Sequence, residues 1–454
     1  MMAALALMTG ACSNDNELTP QQPDQTGGIP FIATISGNSS AVTRALSEAN
    51  NGNIVATWTV DEQVALIYNV GERKCNTTAT VIEVDSEGTA TITATLEDGT
   101  ADGTEVTIIY PASAVDPDTY DVKSDLLENQ DGTLEYISKY LDLHMGTGHL
   151  SIDDVATLQE SVKLDGKLAI FNLTLDKLTK TANDNDSYFK RLVVSFDDEN
   201  GEYQVAGSVN IPQNTNQFCV AIRPGTILPD FPMLWFEATT TAGKKYINHG
   251  KANEVHIAAN KYYHTTVSLA TVGDVVLSNG KFAKEYTTGS NGAKAVIAYV
   301  GKVDKYFDRF IAIALTDIYG SKNWNAALTA VNTYASQNPI VIDGTTYNEN
   351  TINSYYDIVT GNISYETREN DAVKGWRLPS VTDWHYVFEG LTSDPRNIND
   401  YCSNEDIDID EEIYWTSTQK DNDNAWTYNF FVYSNNFKTY KKTSYEFVRA
   451  VFAY

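Results

Sequence analysis

The sequence is that of a mainly β protein: two antiparallel β-sandwich domains in tandem, followed by an α+β domain from about residue 273. Three observations lead there. Up to about residue 270, short runs rich in Val, Ile, Thr and Tyr recur between clusters of Gly, Asp and Asn, the spacing of antiparallel sandwiches. A loop-rich stretch from about 112 to 160 separates these runs into two groups, so two domains fit better than one. After Gly273, apolar residues begin to recur at helical spacing, and five of the seven tryptophans lie in this last part.

Taken in order, the chain begins with a short apolar run, Met1 to Ala11, closing in Thr9-Gly10-Ala11-Cys12 and followed by the polar Ser13-Asn14-Asp15-Asn16-Glu17. This is a secretory signal with small residues at the cleavage site and cysteine at the first mature position, the arrangement a lipoprotein signal peptidase needs. Residues 1–12 therefore read as signal peptide and lipobox, with Cys12 the lipidation site; the alternative is an ordinary cleaved signal in which Cys12 is only a cysteine. Residues 13–29 carry Pro20, Pro23, Gly27 and Gly28 without hydrophobic periodicity and read as a flexible tether. Order is expected from Pro30, where Phe31, Ala33 and Ile35 alternate as a first strand requires.

The first group of strands includes Gln63 to Tyr68, Ala90 to Leu96 and Glu105 to Pro111. The second includes Leu168 to Leu175, Arg191 to Phe196 and Phe218 to Pro224, and closes on Asn260 to Leu269, where polar and apolar residues alternate. Beyond Gly273, Trp324, Ala327, Leu328, Val331 and Ala335 predict one helix. Val381, Trp384, Phe388 and Leu391 predict another, with Ser380 and Asp383 as its capping box. A closing strand is expected from Tyr445 to Tyr454.

Composition excludes several functions. The formal charge of −28 argues against nucleic acid and against anionic lipid headgroups, whose phosphates need Lys or Arg. The cysteines at 12, 75, 219 and 402 have no disulfide or metal-ligand spacing, and the six histidines form no HxxH or HExxH pair. No metal and no cofactor is expected. No apolar run reaches the ~20 residues of a membrane-crossing helix, so lipid on Cys12 is the expected membrane attachment. Residues 287–292 have two glycines but no Lys after the second, which makes them a turn and not a phosphate loop.

Further motifs bring in a family. The lipobox cysteine is followed by Val42-Thr43-Arg44-Ala45-Leu46, by Thr57-Trp58-Thr59-Val60-Asp61-Glu62-Gln63-Val64, and by Tyr110-Pro111-Ala112. Then come Gln130-Asp131-Gly132-Thr133-Leu134, Val220-Ala221-Ile222-Arg223-Pro224 and Lys261-Tyr262-Tyr263. In this order they resemble the fimbrillin family, the type V pilins of Gram-negative anaerobes. From Gly273 the chain resembles a bacterial domain with a C-type-lectin-like fold. That likeness rests on Gly375-Trp376-Arg377-Leu378-Pro379-Ser380, the helix with Trp384, Tyr414-Trp415-Thr416-Ser417-Thr418, Ala425-Trp426-Thr427-Tyr428 and Val448-Arg449-Ala450-Val451.

The resemblance implies transthyretin-like sandwiches over 30–150 and 151–272 and a lectin-like domain over 273–454. It also implies a fimbrial subunit with the layout of a tip pilin. In the family, cleavage after an arginine at this point removes the first strand and opens a groove, which a neighbouring subunit fills with a donated strand. Carried onto this chain, the processing site is Arg44–Ala45. Arg44 is the first basic residue of the chain and none follows before Arg73. With a folded module at its C-terminal end, the subunit is expected to accept a strand from other pilin subunits, not to donate one. Its location would be the cell surface, first as an outer-membrane lipoprotein precursor and then in the fimbrium.

For adhesion to a glycan or matrix protein, flat aromatic faces with a polar edge are the natural contacts. Trp376, Trp384, Trp415 and Trp324 read as core; Trp426 and Tyr433, set among Asn and Asp, are the surface candidates for ligand binding. The acidic runs 404–412 and 421–424 carry hard oxygen ligands but lack the glycine and spacing of a calcium loop, and read as solvated loops. No enzyme is expected: there is no GxSxG nucleophile motif. The formylglycine-generating enzymes that share the C-terminal fold depend on reactive cysteines, whereas this part has only Cys402. The alternative to a fimbrial subunit is a permanently lipid-anchored, glycan-binding surface protein that does not polymerise. The fate of the segment before Ala45 separates the two.

Overall fold

The computed structural model describes residues 28–36, 47–48, 54–55, 58–177, 188–197, 203–224, 234–248, 257–284, 292–301, 310–342, 345–349, 374–390, 412–430 and 437–454. Within them the protein is mainly β.

The first part begins with β1 (Gly28–Ser36) and a two-residue pair, β2 (Ser47–Glu48) and β3 (Ile54–Val55). It continues through β4 (Gln63–Val70), β5 (Arg73–Val84), β6 (Thr89–Glu97), β7 (Glu105–Tyr110), β8 (His144–Ile152), β9 (Ala156–Leu158), β10 (Val162–Lys163) and β11 (Asp165–Gly166). All but β2 and β3 form one nine-stranded sheet in the order β10-β1-β6-β5-β4-β7-β8-β11. Because β9 pairs with both β8 and β1, the ladder returns to its start, and β1 closes the circuit. Trp58, Val64, Leu66, Tyr68, Ile92, Val106, Ile108 and Leu150 fill the enclosed core.

The sequence reads as loop where β8 lies, and the reason is in its residues. The strand carries Gly146 and Gly148 instead of an apolar alternation. A Cβ on Gly146 would sit 2.6 Å from the Lys163 carbonyl oxygen, and one on Gly148 would sit 2.5 Å from a Val162 methyl. The glycines let the β10 segment cross close over β8, at the expense of the strand's sequence signature.

The second part contains β12 (Ala169–Lys177), β13 (Phe189–Asp197), β14 (Tyr203–Asn210), β15 (Gln217–Ile222), β16 (Trp235–Thr240), β17 (Lys245–Asn248) and β18 (Lys261–Ala270). They form a seven-stranded sheet, β14-β13-β16-β17-β18-β12-β15. Here the expectation of purely antiparallel sheets is corrected: β12 runs parallel to β18, from Ala169 opposite Lys261 to Lys177 opposite Leu269. In the first sheet β1 likewise runs parallel to β9 and β10. A period of two is the same in either direction, so alternation alone could not separate the cases.

The two sheets meet across a second apolar layer. Ala65, Ile67 and Ile109, on the outer face of the first, share a cluster with Leu168, Ile170, Cys219 and Ala221 of the second and with Ile137, Leu141 and Leu143 between them. This explains why β4 reads as a continuous apolar run: both its faces are covered.

Gln130 pins the intervening segment. Its buried side chain donates to the carbonyls of Leu127 (2.9 Å) and Ala221 (2.8 Å), and its Oε1 accepts from the Ala221 N–H (2.8 Å). Next to it, Gly132 has φ +81°, and a Cβ there would meet Pro212 at 2.7 Å. Thr133 caps the short helix α1 (Leu134–Tyr136) by accepting from the Tyr136 N–H. Gln130→Ala would strand the Ala221 amide and carbonyl away from water. It is expected to cost about 1–3 kcal/mol for each group left unpaired, to be read from urea denaturation of the whole chain.

The last part comprises β19 (Val275–Leu277), β20 (Phe282–Ala283), β21 (Ala293–Val300), β22 (Phe310–Ala314), α2 (Trp324–Gln337), β23 (Ile340–Ile342), β24 (Thr345–Tyr347) and β25 (Gly375–Arg377). It ends with α3 (Val381–Gly390), β26 (Ile413–Gln419), β27 (Asn424–Asn429), β28 (Phe437–Lys441) and β29 (Val451–Ala453). A six-stranded sheet, β20-β19-β21-β22-β29-β25, carries the helices, and β26, β27 and β28 form a separate three-stranded sheet. The closing strand is shorter than the expected 445–454.

Helix α2 buries Trp324, Ala327, Val331 and Ala335 and is capped by Asn323, which accepts from the Ala326 N–H. At α3 the capping box is reciprocal: Ser380 Oγ accepts from the Asp383 N–H (3.1 Å), and Asp383 Oδ2 accepts from the Ser380 N–H (2.8 Å). The core of this part is continuous with the second sheet. Trp235, Ile247 and Ala270 belong to the same cluster as Trp324, Trp376 and Phe452, and the Trp235 ring lies 5.5 Å from that of Tyr454.

Candidate functional site

The candidate site is the slot in which β1 lies. Its sequence alternates, and so does its burial: Phe31, Ala33 and Ile35 are 1%, 8% and 0% exposed, while Pro30, Ile32 and Thr34 face outward. On one side β1 pairs antiparallel with β6 along its whole length, from Gly28 opposite Glu97 to Ser36 opposite Thr89. On the other side the seat is parallel: Phe31 lies opposite Ala156 of β9, and Ile35 and Ser36 lie opposite Val162 and Lys163 of β10. The Leu164 N–H donates to the Ser36 carbonyl at 2.9 Å, and Thr93 Oγ1 donates to the Phe31 carbonyl at 3.1 Å.

Burial of Phe31 and Ile35 contributes about 1.5–3 kcal/mol each. Taking β1 out would expose those pockets and leave β6 with an unpaired edge, which is a template for another strand.

Chain order gives the slot its meaning. β1 ends at Ser36, and the next strand of this sheet, β4, starts at Gln63. A cut after Arg44 would sever β1 from the chain and leave every other strand of the sheet joined. Arg44 and Ala45 lie outside the described residues, as do Cys12, Cys402, Tyr433 and the acidic run 404–411.

The sequence located β1 but not the strands it lies against. Ala156, Val162 and Leu164, which join Phe31 and Ile35 in the core, fall in or beside the stretch read as loop. Only the alternation of Val162 and Leu164 could have pointed to them.

In the last part the sequence candidates separate. Trp376, Trp384 and Trp415 are fully buried and Trp324 is 3% exposed. Trp324 donates to the Thr416 carbonyl, Trp376 to that of Asn338 and Trp415 to that of Lys322. Trp426 is half-buried on β27, opposite Thr439 of β28, with the Lys420 ammonium 5.8 Å from its ring centre.

The 421–424 run is a turn, not an open ligand set. Asp421 accepts from the Asp423 and Asn424 backbone and from the Asn424 side chain, and these hydrogen bonds, the Asn424 side chain first, lower its pKa. Among the described residues no group of three or more His, Cys, Asp or Glu side chains is placed to hold a metal. The thiols of Cys75 and Cys219 are unbridged and buried, and burial raises both pKa values away from reactivity. No described helix is long and apolar enough to cross a membrane.

No family model matches the chain, and no curated protein matches it. Solved structures similar to it include a fimbrial protein from Bacteroides ovatus, 13% identical, covering 94% of this chain and 100% of that one, with a TM-score of 0.25. Another is a fimbrial assembly protein from Parabacteroides distasonis, 12% identical, covering 59% of this chain and 95% of that one, with a TM-score of 0.27. At these identities and TM-scores neither likeness carries a function over to this chain, whose own residues have to supply it.

Proposed function

We propose that the protein is a fimbrial subunit of the cell surface, assembled at the tip by accepting a donated strand. It is exported as a lipoprotein acylated on Cys12, trimmed between Arg44 and Ala45, and completed by another subunit's strand in the slot that β1 vacates. The part from 273 onward makes adhesive contact, and the sheets before it serve assembly. One observation carries this reading: the strand that closes the first sheet is, among the described residues, the one strand of that sheet lying before Arg44. Evicting it opens the circuit without disconnecting the rest, so the same surface is sealed in the precursor and receptive after the cut.

The test is strand exchange. A chain cut after Arg44 is expected to take up a labelled peptide copying residues 28–36, while a peptide with Phe31→Asp and Ile35→Asp is excluded and the uncut chain takes up neither. Equal uptake by cut and uncut chains, or none by the cut chain, would contradict the proposal. Export as a lipoprotein is checked separately: Cys12→Ser is expected to abolish palmitate labelling of the precursor.

A further inference from the structure

A cleft of about 790 Å³ opens in the last part, away from Trp426. Three pieces of chain meet there: the start of β21, the turn after β22 and the outer face of α2 with its C-terminal end. Its most exposed feature is Tyr319, 96% exposed on the turn between β22 and α2. A tyrosine so fully in water contributes nothing to a core and offers a flat apolar ring to a partner. Tyr334, on the α2 wall, is held edge-on against Trp376 with ring centres 5.2 Å apart, which fixes its position.

Two lysines lie on the lining. Lys294 reaches Asn338 Oδ1 at 3.5 Å, and Lys322 donates to the Tyr319 carbonyl at 2.8 Å, bringing both ammonium groups to the cleft. The one acid among its described lining residues, Asp317, is engaged elsewhere: Oδ1 lies 3.0 Å from Arg449 and Oδ2 accepts from the Tyr414 hydroxyl at 2.6 Å. The cleft is thus cationic in a chain of net charge −28. Gln337 and Asn338 add side-chain amides along the rim.

We propose that this cleft binds an acidic sugar, a sialic or uronic acid residue of a glycan, with its ring on Tyr319 and its carboxylate at Lys322 beside it. A peptide is disfavoured because β21, the strand at the cleft, is already paired on both sides, by β19 and β22, leaving no edge for main-chain pairing. The proposal deepens the adhesive reading and rests on it for its biological sense. Its test uses the whole uncut chain and fails or succeeds independently of strand exchange.

The experiment is calorimetric titration of the full chain with sialyllactose, a glucuronic-acid disaccharide, lactose and polyglutamate. One of the two acidic sugars is expected to bind at least about tenfold more tightly than lactose, the value of one charge-assisted hydrogen bond. Tyr319→Ala and Lys322→Gln are each expected to weaken that binding about tenfold. Tyr188→Ala, an exposed tyrosine just before β13, leaves it unchanged and serves as control. Because Tyr319 is exposed, its loss cannot act through unfolding. Equal binding of acidic and neutral sugars, full affinity in Tyr319→Ala, or binding of polyglutamate alone would overturn the proposal.

Discussion

Asp383→Ala is expected to lower the stability of the C-terminal part by about 3–5 kcal/mol, the cost of leaving a buried charge without its partner. Arg377 and Asp383 are 1% and 0% exposed and form a two-pronged pair, with Nε to Oδ2 at 3.0 Å and Nη2 to Oδ1 at 2.7 Å. The same carboxylate closes the capping box of α3, so its removal also uncaps the helix. Asp383→Asn keeps an acceptor for the Ser380 N–H and is expected to fall between wild type and Ala. Chemical denaturation followed through tryptophan fluorescence reads this directly, since Trp376 and Trp384 flank the pair in sequence and are both buried. A loss below about 1 kcal/mol, the size of a surface ion pair, would contradict the account of the Gly375–Ser380 motif.

The second large effect is on maturation. With Arg44→Ala the precursor is expected to accumulate with β1 in place and to be absent from fibres, because the slot stays filled. No other lysine or arginine before Arg73 offers a basic cut, and Arg73 begins β5, inside the sheet. Immunoblots of sheared fibres and of whole cells read the two pools. Normal amounts of Arg44→Ala subunit in fibres would show that assembly does not need β1 removed.

How far the residues announced this structure varies with how local the cause is. β1 was legible because Phe31, Ala33 and Ile35 alternate, and α2 and α3 because Trp324, Ala327, Val331 and Ala335, and Val381 and Trp384, repeat at helical spacing. The Ser380–Asp383 box was legible because both partners lie three residues apart. β8 was not, because Gly146 and Gly148 answer to a strand from elsewhere that crosses over them.

Strand direction was not legible either: the parallel pairing of β12 with β18 joins segments nearly a hundred residues apart that alternate in the same way as an antiparallel pair. The Tyr319 cleft escaped for the same reason. Lys294, Lys322 and Asn338 line one cleft only once β21, a turn and the end of α2 are brought together. The reading of Gln130-Asp131-Gly132-Thr133 as a motif gains a cause as well, since the glutamine clamps Ala221, the glycine clears Pro212 and the threonine caps a helix.

In the proposed mechanism β1 is a temporary strand, present in the precursor and replaced on assembly. This is tested most directly by N-terminal sequencing of the subunit recovered from sheared surface fibres. The expected chain begins at Ala45 and lacks residues 28–36. A fibre subunit that begins at Cys12 or Ser13, with β1 still attached, would contradict it and favour a surface protein held permanently by its lipid.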